Sequence, residues 1–544
     1  MTDKKRICIY HFFDSEGVVD DYVIYNLKKL KDICSSLIFS VNGTILDKYR
    51  EVIENNDITI TARDNIGFDF GSWKDVITSY KNEIRNNYDE LIITNDSYYG
   101  PIYPWIDVFN EMDTKECDFW GLTVNEKYSG MEGSTPRHIQ SYFLVIRKKM
   151  LNSEHFYDYW IKQPYASTFK DCVINNESKF TKYFENKGFK WCSFCNTDYE
   201  NTKLNGGSFQ NNEDELIINY RLPIVKRKSL IKNDNSWRME SAIKILDYLK
   251  ETDYDVDIIR KHIIRTYPLS KIFESLPSTI VLSETSGGQN NSAAIVIIDD
   301  NCNYLLMKKI DQIPDDVPVY VLTDNQKMSV EPTNRKVVIK TGKEKMNCLK
   351  EIICNELCDY DYICLIHEIN VDGHDQKKLL RNNTWDNLIP DDICSISTLF
   401  KDDDMLGVLY PPLPAFDCMN NINDEWSKKS NIDVIKKIAD SNETVESSIG
   451  YETESFWCRR NVIVDLLKEI SDNQSSRSLG FFIPYIAKRN GCFTKVVIRN
   501  NYAIAHLQNY RNLKKIKDAM ATDITVHFLI KHPFIYKMLK KVFR

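Results

Sequence analysis

The feature that most constrains this chain is the order in which short apolar runs and amphipathic stretches alternate, an order that starts again after residue 292. Arg6–Phe12 reads as a short buried strand. Asp20–Asp32 reads as a helix, with Tyr22, Val23, Leu27 and Leu30 at helical spacing. The pattern then predicts strands over Leu37–Val41, Ile58–Thr61 and Glu90–Thr94, separated by helices over Ile45–Glu54 and Asp75–Asn86. Strand and helix taken in turn argue for a parallel α/β sheet. Ligands of such sheets bind beyond the carboxyl ends of the strands. Arg63–Trp73 and Asn95–Pro101, which follow two of these strands, are therefore expected to face one cleft.

Tyr142–Arg147 reads as a further strand with a helix from Lys149, and residues 237–275 as mostly helical. Ser283–Ser292 is rich in Gly, Ser and Asn and is the most linker-like stretch of the chain. Beyond it, strands are predicted over Ile295–Ile298, Val319–Leu322, Val337–Lys340 and Tyr362–Ile366, with helices through Leu305–Ile310 and over Glu344–Leu357. This is a second α/β unit, although the two halves are not a close sequence repeat. The expected division is 1–235 for the first domain, 236–290 for a helical connector and linker, 291–505 for the second domain and 506–544 for a tail. A length of 544 residues fits such a count.

Composition sharpens this picture at the carboxyl end. The whole chain has 71 Lys+Arg against 78 Asp+Glu, a net of −7. The stretch from His506 to Arg544 has nine Lys/Arg and two Asp/Glu. Within it, Phe534, Ile535, Met538, Leu539 and Val542 fall at helical spacing, flanked by Lys537, Lys540, Lys541 and Arg544. That pattern suits an amphipathic helix lying on an anionic membrane surface, and equally a terminal helix with a solvated basic face. The acidic body argues against nucleic acid as a partner. No run of 18 apolar residues is present, so a polytopic membrane protein is excluded. The start, Met1-Thr-Asp-Lys-Lys-Arg6, lacks a small-residue cleavage site. The 15 cysteines are odd in number and scattered through apolar runs, the pattern of free thiols in a cytoplasmic protein.

Three segments carry residue types suited to a ligand. In Arg63-Asp-Asn-Ile-Gly-Phe-Asp-Phe-Gly-Ser-Trp73, the glycines permit close backbone approach. Arg63, Asn65 and Asp69 can bond a base, ribose or sugar hydroxyls, and Trp73 can supply an apolar face; a capped strand-to-helix loop is the structural alternative. In Asn95-Asp96-Ser97, one carboxylate beside amide and hydroxyl oxygens can hold Mg²⁺ or Mn²⁺ already bound to a diphosphate; the alternative is an Asx turn before Gly100-Pro101. His138, Gln140 and Ser141 precede an apolar run and can contact an acceptor. Cys192-x-x-Cys195 has no second pair to complete a zinc site. Walker, Gly-x-Ser-x-Gly and His-Glu-x-x-His patterns are lacking.

At these segments the chain resembles the rhamnan-synthesis F proteins, glycosyltransferases of bacterial rhamnose-rich cell-wall polysaccharides. Arg63–Trp73 is similar to the family's Arg-Glu-Asn-x-Gly-Phe-Asp-Phe, and Asn95-Asp-Ser-Tyr-Tyr-Gly-Pro101 to its Asn-Asp-[Ser/Thr]-x-x-Gly-Pro. Asp118–Thr123, His138–Val145, Tyr360–His367, Leu406–Pro412 and Ser455–Arg460 resemble further blocks in the same order. The resemblance implies a Rossmann-like GT-A fold in the first domain, a second GT-A-like α/β domain, and a basic amphipathic helix at the end. It implies a nucleotide-diphosphate sugar donor, with dTDP-L-rhamnose foremost, and an acceptor glycan on undecaprenyl diphosphate. A peripheral place at the inner face of the plasma membrane follows.

The chain is more loosely similar to inverting GT-A transferases generally. Their Asn-x-Gly near the nucleotide corresponds to Asn65-Ile-Gly67, and their acidic Asp-x-Asp to a reduced Asn95-Asp96-Ser97, which makes Asp96 the expected metal ligand. Their catalytic carboxylate precedes a glycine by about eleven residues, as Glu177 precedes Gly188; Glu177 is thus the expected base, with Asp118 as the second choice. The mechanism implied is a single displacement in which the base takes the acceptor's proton. Asp96 with a divalent ion, or else Arg63 or Lys226-Arg-Lys228, would stabilise the leaving diphosphate. In the second half, Thr341-Gly-Lys-Glu-Lys-Met346 and His367-Glu-Ile-Asn370 stand where relatives have basic clusters. That half is expected to bind acceptor or to act as a scaffold. A UDP-sugar donor and a non-catalytic, glycan-binding assembly protein are the alternatives.

Overall fold

Arg6–Phe12 (β1) is buried along its whole length, and this is what places it at the centre of a sheet. A parallel strand covered on both faces has no polar side to show, so its sequence reads as an unbroken apolar run. The structure, a computed structural model, describes residues 4–130, 133–195, 213–231, 239–282, 292–299, 306–324, 337–341, 345–369, 375–413, 429–440, 443, 453–505 and 507–508. These residues fall into two compact units: Met1–Ile263 with Glu274–Leu276, and Ile264–Phe273 with Pro277–Arg544. The linker-like 283–291 and the tail from 509 onward, where the amphipathic helix is expected, lie outside the described residues.

In the first unit β1 is joined by Ser36–Asn42 (β2), Thr59–Arg63 (β3), Glu90–Asn95 (β4), Phe119–Gly121 (β5), Phe143–Arg147 (β6) and Trp191–Ser193 (β7). They hydrogen-bond in the order β7-β5-β6-β4-β1-β2-β3. Strands β1 to β4 are mutually parallel, with Ile9 level with both Ile38 and Ile93. Strand β6 runs antiparallel to β4 and β5. The chain therefore leaves β1 on one side through β2 and β3, and returns on its other side at β4. This reversal opens a crevice at the carboxyl ends of β1 and β4, where ligands of open α/β sheets bind.

The expected helix over Asp75–Asn86 begins earlier, as Phe68–Ser79 (α1), followed by Lys81–Asn87 (α2). Half of the expected polar loop is thus helical. The reason is visible in its spacing: Phe70, Trp73 and Ile77 share one face, and all three are buried against the sheet with Trp160 and Phe180. Gly67 starts the helix with φ +76°, a conformation that suits glycine.

The second unit repeats this plan. Its strands are Thr279–Leu282 (β8), Ala293–Asp299 (β9), Val319–Thr323 (β10), Val337–Thr341 (β11), Tyr362–His367 (β12), Leu406–Tyr410 (β13), Phe456–Arg459 (β14) and Phe493–Arg499 (β15). Their order is β8-β15-β13-β14-β12-β9-β10-β11. Apart from the added edge strand β8, it is the order of the first sheet, and β14 is again the strand that runs antiparallel to its neighbours. Alternate residues of β9 enter two different cores: Val296 and Ile298 on one face, Ile295 and Ile297 on the other. His11 is level with Asn95 in the first sheet, as Ile298 is with His367 in the second. By that register Glu368 holds the place that Asp96 holds in the first unit. Among the described residues, no helix is long and apolar enough to cross a membrane.

Candidate functional site

At the carboxyl end of β4 the chain turns through Asn95, Asp96 and Ser97. The turn is an Asx turn, in which Asn95 Oδ1 accepts from Ser97 N (3.2 Å) and Oγ (2.7 Å). The two residues after it, Tyr98–Tyr99, pair antiparallel with Val225–Lys226. That pairing brings Lys226 and Arg227 to the turn. Lys226 Nζ donates to Ser97 Oγ (3.1 Å), and lies 3.7 Å from the centre of the Tyr142 ring. Arg227 Nη1 donates to Asp96 Oδ2 (3.2 Å) and to the Tyr22 hydroxyl (3.1 Å). On the other side, Asn95 Nδ2 donates to Asp69 Oδ2 (2.9 Å), in the first turn of α1. A continuous line of hydrogen bonds thus runs from Asp69 through Asn95 and Ser97 to Lys226.

A second group forms around Glu177. This residue ends a π-helical turn, Cys172–Glu177, which leads into helix Ser178–Glu185 (α3). Wide turns of this kind recur at functional sites. Ser141 Oγ donates to Glu177 Oε2 (2.8 Å), and His138 Nε2 lies 3.6 Å from Oε1. His138 is turned by its Nδ1, which meets the Pro136 carbonyl at 2.7 Å. Cys172 Sγ, one turn before Glu177, donates to Asp69 Oδ1 (3.5 Å) and joins the two groups.

The charges follow from burial and these partners. Burial raises the Glu177 carboxyl, but His138, Ser141 and Lys226 outweigh it and hold the group below its ordinary value. Burial lowers His138, and Glu177 with the Pro136 carbonyl outweighs that and raises it. Burial and the neighbouring Glu177 push Asp69 up. Burial also lifts Asp96 to about 6 against the pull of Arg227. Lys226 is pushed down to about 8 by burial, against the pull of Glu177 and Glu213. The site therefore holds an ionised carboxylate, Glu177, that draws on His138 and Lys226.

Not every expected residue joins it. Arg63 donates to Asp75 Oδ2 (2.7 Å), Asn42 Oδ1 (2.9 Å) and the Ile66 carbonyl (2.9 Å), and so closes the loop it begins. Asn65 accepts from Asn42 (3.1 Å) in the same loop. Gly67 is packed under Tyr165. The apolar face expected of Trp73 is turned into the core: the residue is fully buried, its Nε1 donating to the Thr94 carbonyl at 3.1 Å. Gln140 Oε1 accepts from Thr123 Oγ1 (2.7 Å). Asp118 immediately precedes β5, at the end of the sheet opposite the carboxyl end of β4, and is held by Lys149 Nζ (3.0 Å) and Lys190 N (2.8 Å). Sequence reasoning did not single out Cys172 or Tyr142, and no local motif marks either one. Lys226 and Arg227 were named in the sequence only as one alternative for meeting the charge of the leaving diphosphate, without the partners the structure gives them.

The donor set does not fit a resident divalent ion. Asp96 is engaged by Arg227, and Asp69 by Asn95, Cys172 and the Phe70 amide. Among the described residues, no cluster of three or more His, Cys, Asp and Glu side chains is arranged to hold a metal.

Comparison with known proteins gives this geometry a context. The chain is 30% identical over 149 residues to the uncharacterized protein y4gN of Sinorhizobium fredii, a match covering 27% of this chain and 38% of that protein. It therefore spans less than half of that relative's length. Among solved structures it is similar to the glycosyltransferase GlyE of Streptococcus pneumoniae, with 12% identity, 64% of this chain and 83% of that one covered, and a TM-score of 0.26. It is similar also to core-mannan synthase A of Aspergillus fumigatus in its Mn/GDP form, with 11% identity, 29% and 64% covered, and a TM-score of 0.18. Likenesses at such scores say nothing about chemistry. The model of rhamnan synthesis protein F, by contrast, matches residues 37–477, most of the length and both units. The chain belongs to the rhamnan synthesis protein F family.

Proposed function

We propose that the first unit is an inverting glycosyltransferase of the GT-A kind. It takes a sugar, L-rhamnose from dTDP-L-rhamnose, and adds it to a rhamnose-rich glycan carried on a lipid diphosphate at the inner membrane face. The observation that carries this reading is the line of hydrogen bonds at the crevice beside β4 that runs from Asp69 through Asn95 and Ser97 to Lys226, with Arg227 on Asp96 and with Cys172, in the turn that ends at Glu177, bonded to Asp69. Family membership supports the polysaccharide as the setting.

In this reading Glu177 takes the proton from the acceptor hydroxyl as that oxygen attacks the anomeric carbon. His138 and Ser141 hold the carboxylate in place and keep it ionised, ready to act. The bond from the anomeric carbon to the diphosphate breaks on the opposite face, and the diphosphate leaves with the electron pair. Asp69, Asn95 and Ser97 line the side from which the donor enters. Asp118 has no part in this scheme, being at the other edge of the sheet.

The test is a panel of nucleotide sugars with the purified protein, reading donor turnover and nucleotide-induced thermal shift. A response to thymidine diphosphates above all others is expected. Preference for uridine nucleotides would change the donor. No response to any nucleotide would replace the enzyme by a glycan-binding assembly protein.

A further inference from the structure

We propose that Lys226 and Arg227 stand in for a divalent cation at the leaving diphosphate, so that this site works without a metal. The inference rests on the donor-site reading given above.

Three observations lead to it. The first is competition for the one carboxylate of the turn. Arg227 bonds Asp96 through Oδ2 (3.2 Å) and through its carbonyl (3.2 Å), and is fixed from behind by its own amide, which donates to the Ser97 carbonyl (3.1 Å). A metal ion at Asp96 would have to share its carboxylate with a guanidinium already on Oδ2. The second is the state of Lys226. Its ammonium bonds a neutral hydroxyl and lies on an aromatic face, and among the described residues no carboxylate forms an ion pair with it. Lys226 is half-buried and feels the charge of Glu177 and Glu213 without an ion pair to either, so a bound anion would be its direct counter-ion. The third is rigidity. Lys226 belongs to the short strand pair with Tyr98–Tyr99 and Arg227 follows it, and the Lys226 amide donates to Glu213 Oε1 (2.6 Å). Positive charge is therefore preorganised where charge develops on the leaving group, which is the arrangement that lowers a barrier most.

The step balances without a metal. The acceptor oxygen forms the new bond to the anomeric carbon, and its proton passes to Glu177. The bond from that carbon to the phosphate oxygen breaks, and the electron pair stays on the diphosphate. The diphosphate's added charge is met by the ammonium of Lys226 and the guanidinium of Arg227, with Asp96 yielding its share of Arg227 to the phosphate.

The experiment is calorimetric titration of the full-length protein with dTDP and, separately, UDP, in EDTA and in Mn²⁺. Affinity for the preferred nucleotide should agree within about twofold between the two buffers. Lys226→Gln and Arg227→Gln should each weaken it at least tenfold, and Lys226→Arg should restore most of the loss. Binding lost in EDTA and restored by Mn²⁺ overturns the inference and leaves the donor-site reading intact. That arm uses the unaltered protein, so it holds even if a variant fails to fold. Nucleotide that binds under no condition overturns both.

Discussion

Glu177 shows how a side chain acquires a task from its neighbours. A carboxylate taken partly out of water would tend to keep its proton; His138, Ser141 and Lys226 reverse that tendency in Glu177. If it is the base, Glu177→Gln should lower sugar transfer by about 10²–10⁴-fold, the usual worth of a positioned base, with nucleotide affinity kept. Near-normal turnover would remove Glu177 from the reaction. The same pair makes a prediction about pH. His138 is raised, so its contribution to stability is complete below its ordinary value of 6.5 and fades as pH rises through the raised one. Glu177 is lowered, so its contribution is complete above its ordinary 4.5 and fades as pH falls through the depressed one. Melting temperature should therefore have a component that is largest between these values. His138→Gln should flatten it, and an unchanged profile would mean the pair is not charged.

Helix α1 carries the clearest lesson at the scale of the element. Trp73 is one of the largest fully buried side chains, and its indole N–H ties the helix to β4 beside the Asn95 turn. Trp73→Ala should cost about 3–5 kcal/mol, read by denaturant unfolding. Gly67→Ala, at φ +76° and against the Tyr165 ring, should cost about 1–2 kcal/mol, as left-handed backbone does in a residue with a Cβ. These two positions also show what was legible in the sequence. The parallel core strands declared themselves, because burial on both faces leaves an unbroken apolar run. The start of α1 did not: Arg63–Trp73 mixes the loop residues Arg63, Asn65 and Gly67 with the first buried face of a helix, and a polar stretch hides that change of period. Strands β5 and β7 are three residues each, too short to show any period. Within the site, Asp69, Asn95, Ser97, His138, Ser141 and Glu177 were named from motif and family resemblance. Their union with Lys226 was not readable, because it depends on a strand pair that brings Lys226 to Ser97, 129 positions away along the chain.

For the whole molecule, the two units share one strand order but treat the equivalent acid differently. Asp96 faces Arg227 at the crevice, whereas Glu368 is 1% exposed and is bound by Arg381 and by Trp385 Nε1 (2.8 Å). Arg381→Leu should destabilise the second unit by about 3–5 kcal/mol, since it strands a buried carboxylate. Unfolding that is unchanged by the substitution would show that Glu368 takes a proton instead. We propose that this unit binds acceptor or serves as scaffold, and that the basic tail brings the chain to the membrane. Removing Pro533–Arg544 should then reduce flotation with anionic liposomes, and undiminished flotation would return the tail to a structural role.

The repeated strand order has a consequence of another kind. A chain that writes one plan twice carries a spare, and a spare is free to change. In the first copy the acid remains at an open crevice; in the second it is locked to an arginine and a tryptophan. One strand order is thus compatible with an acid at a crevice in one copy and an acid sealed inside in the other.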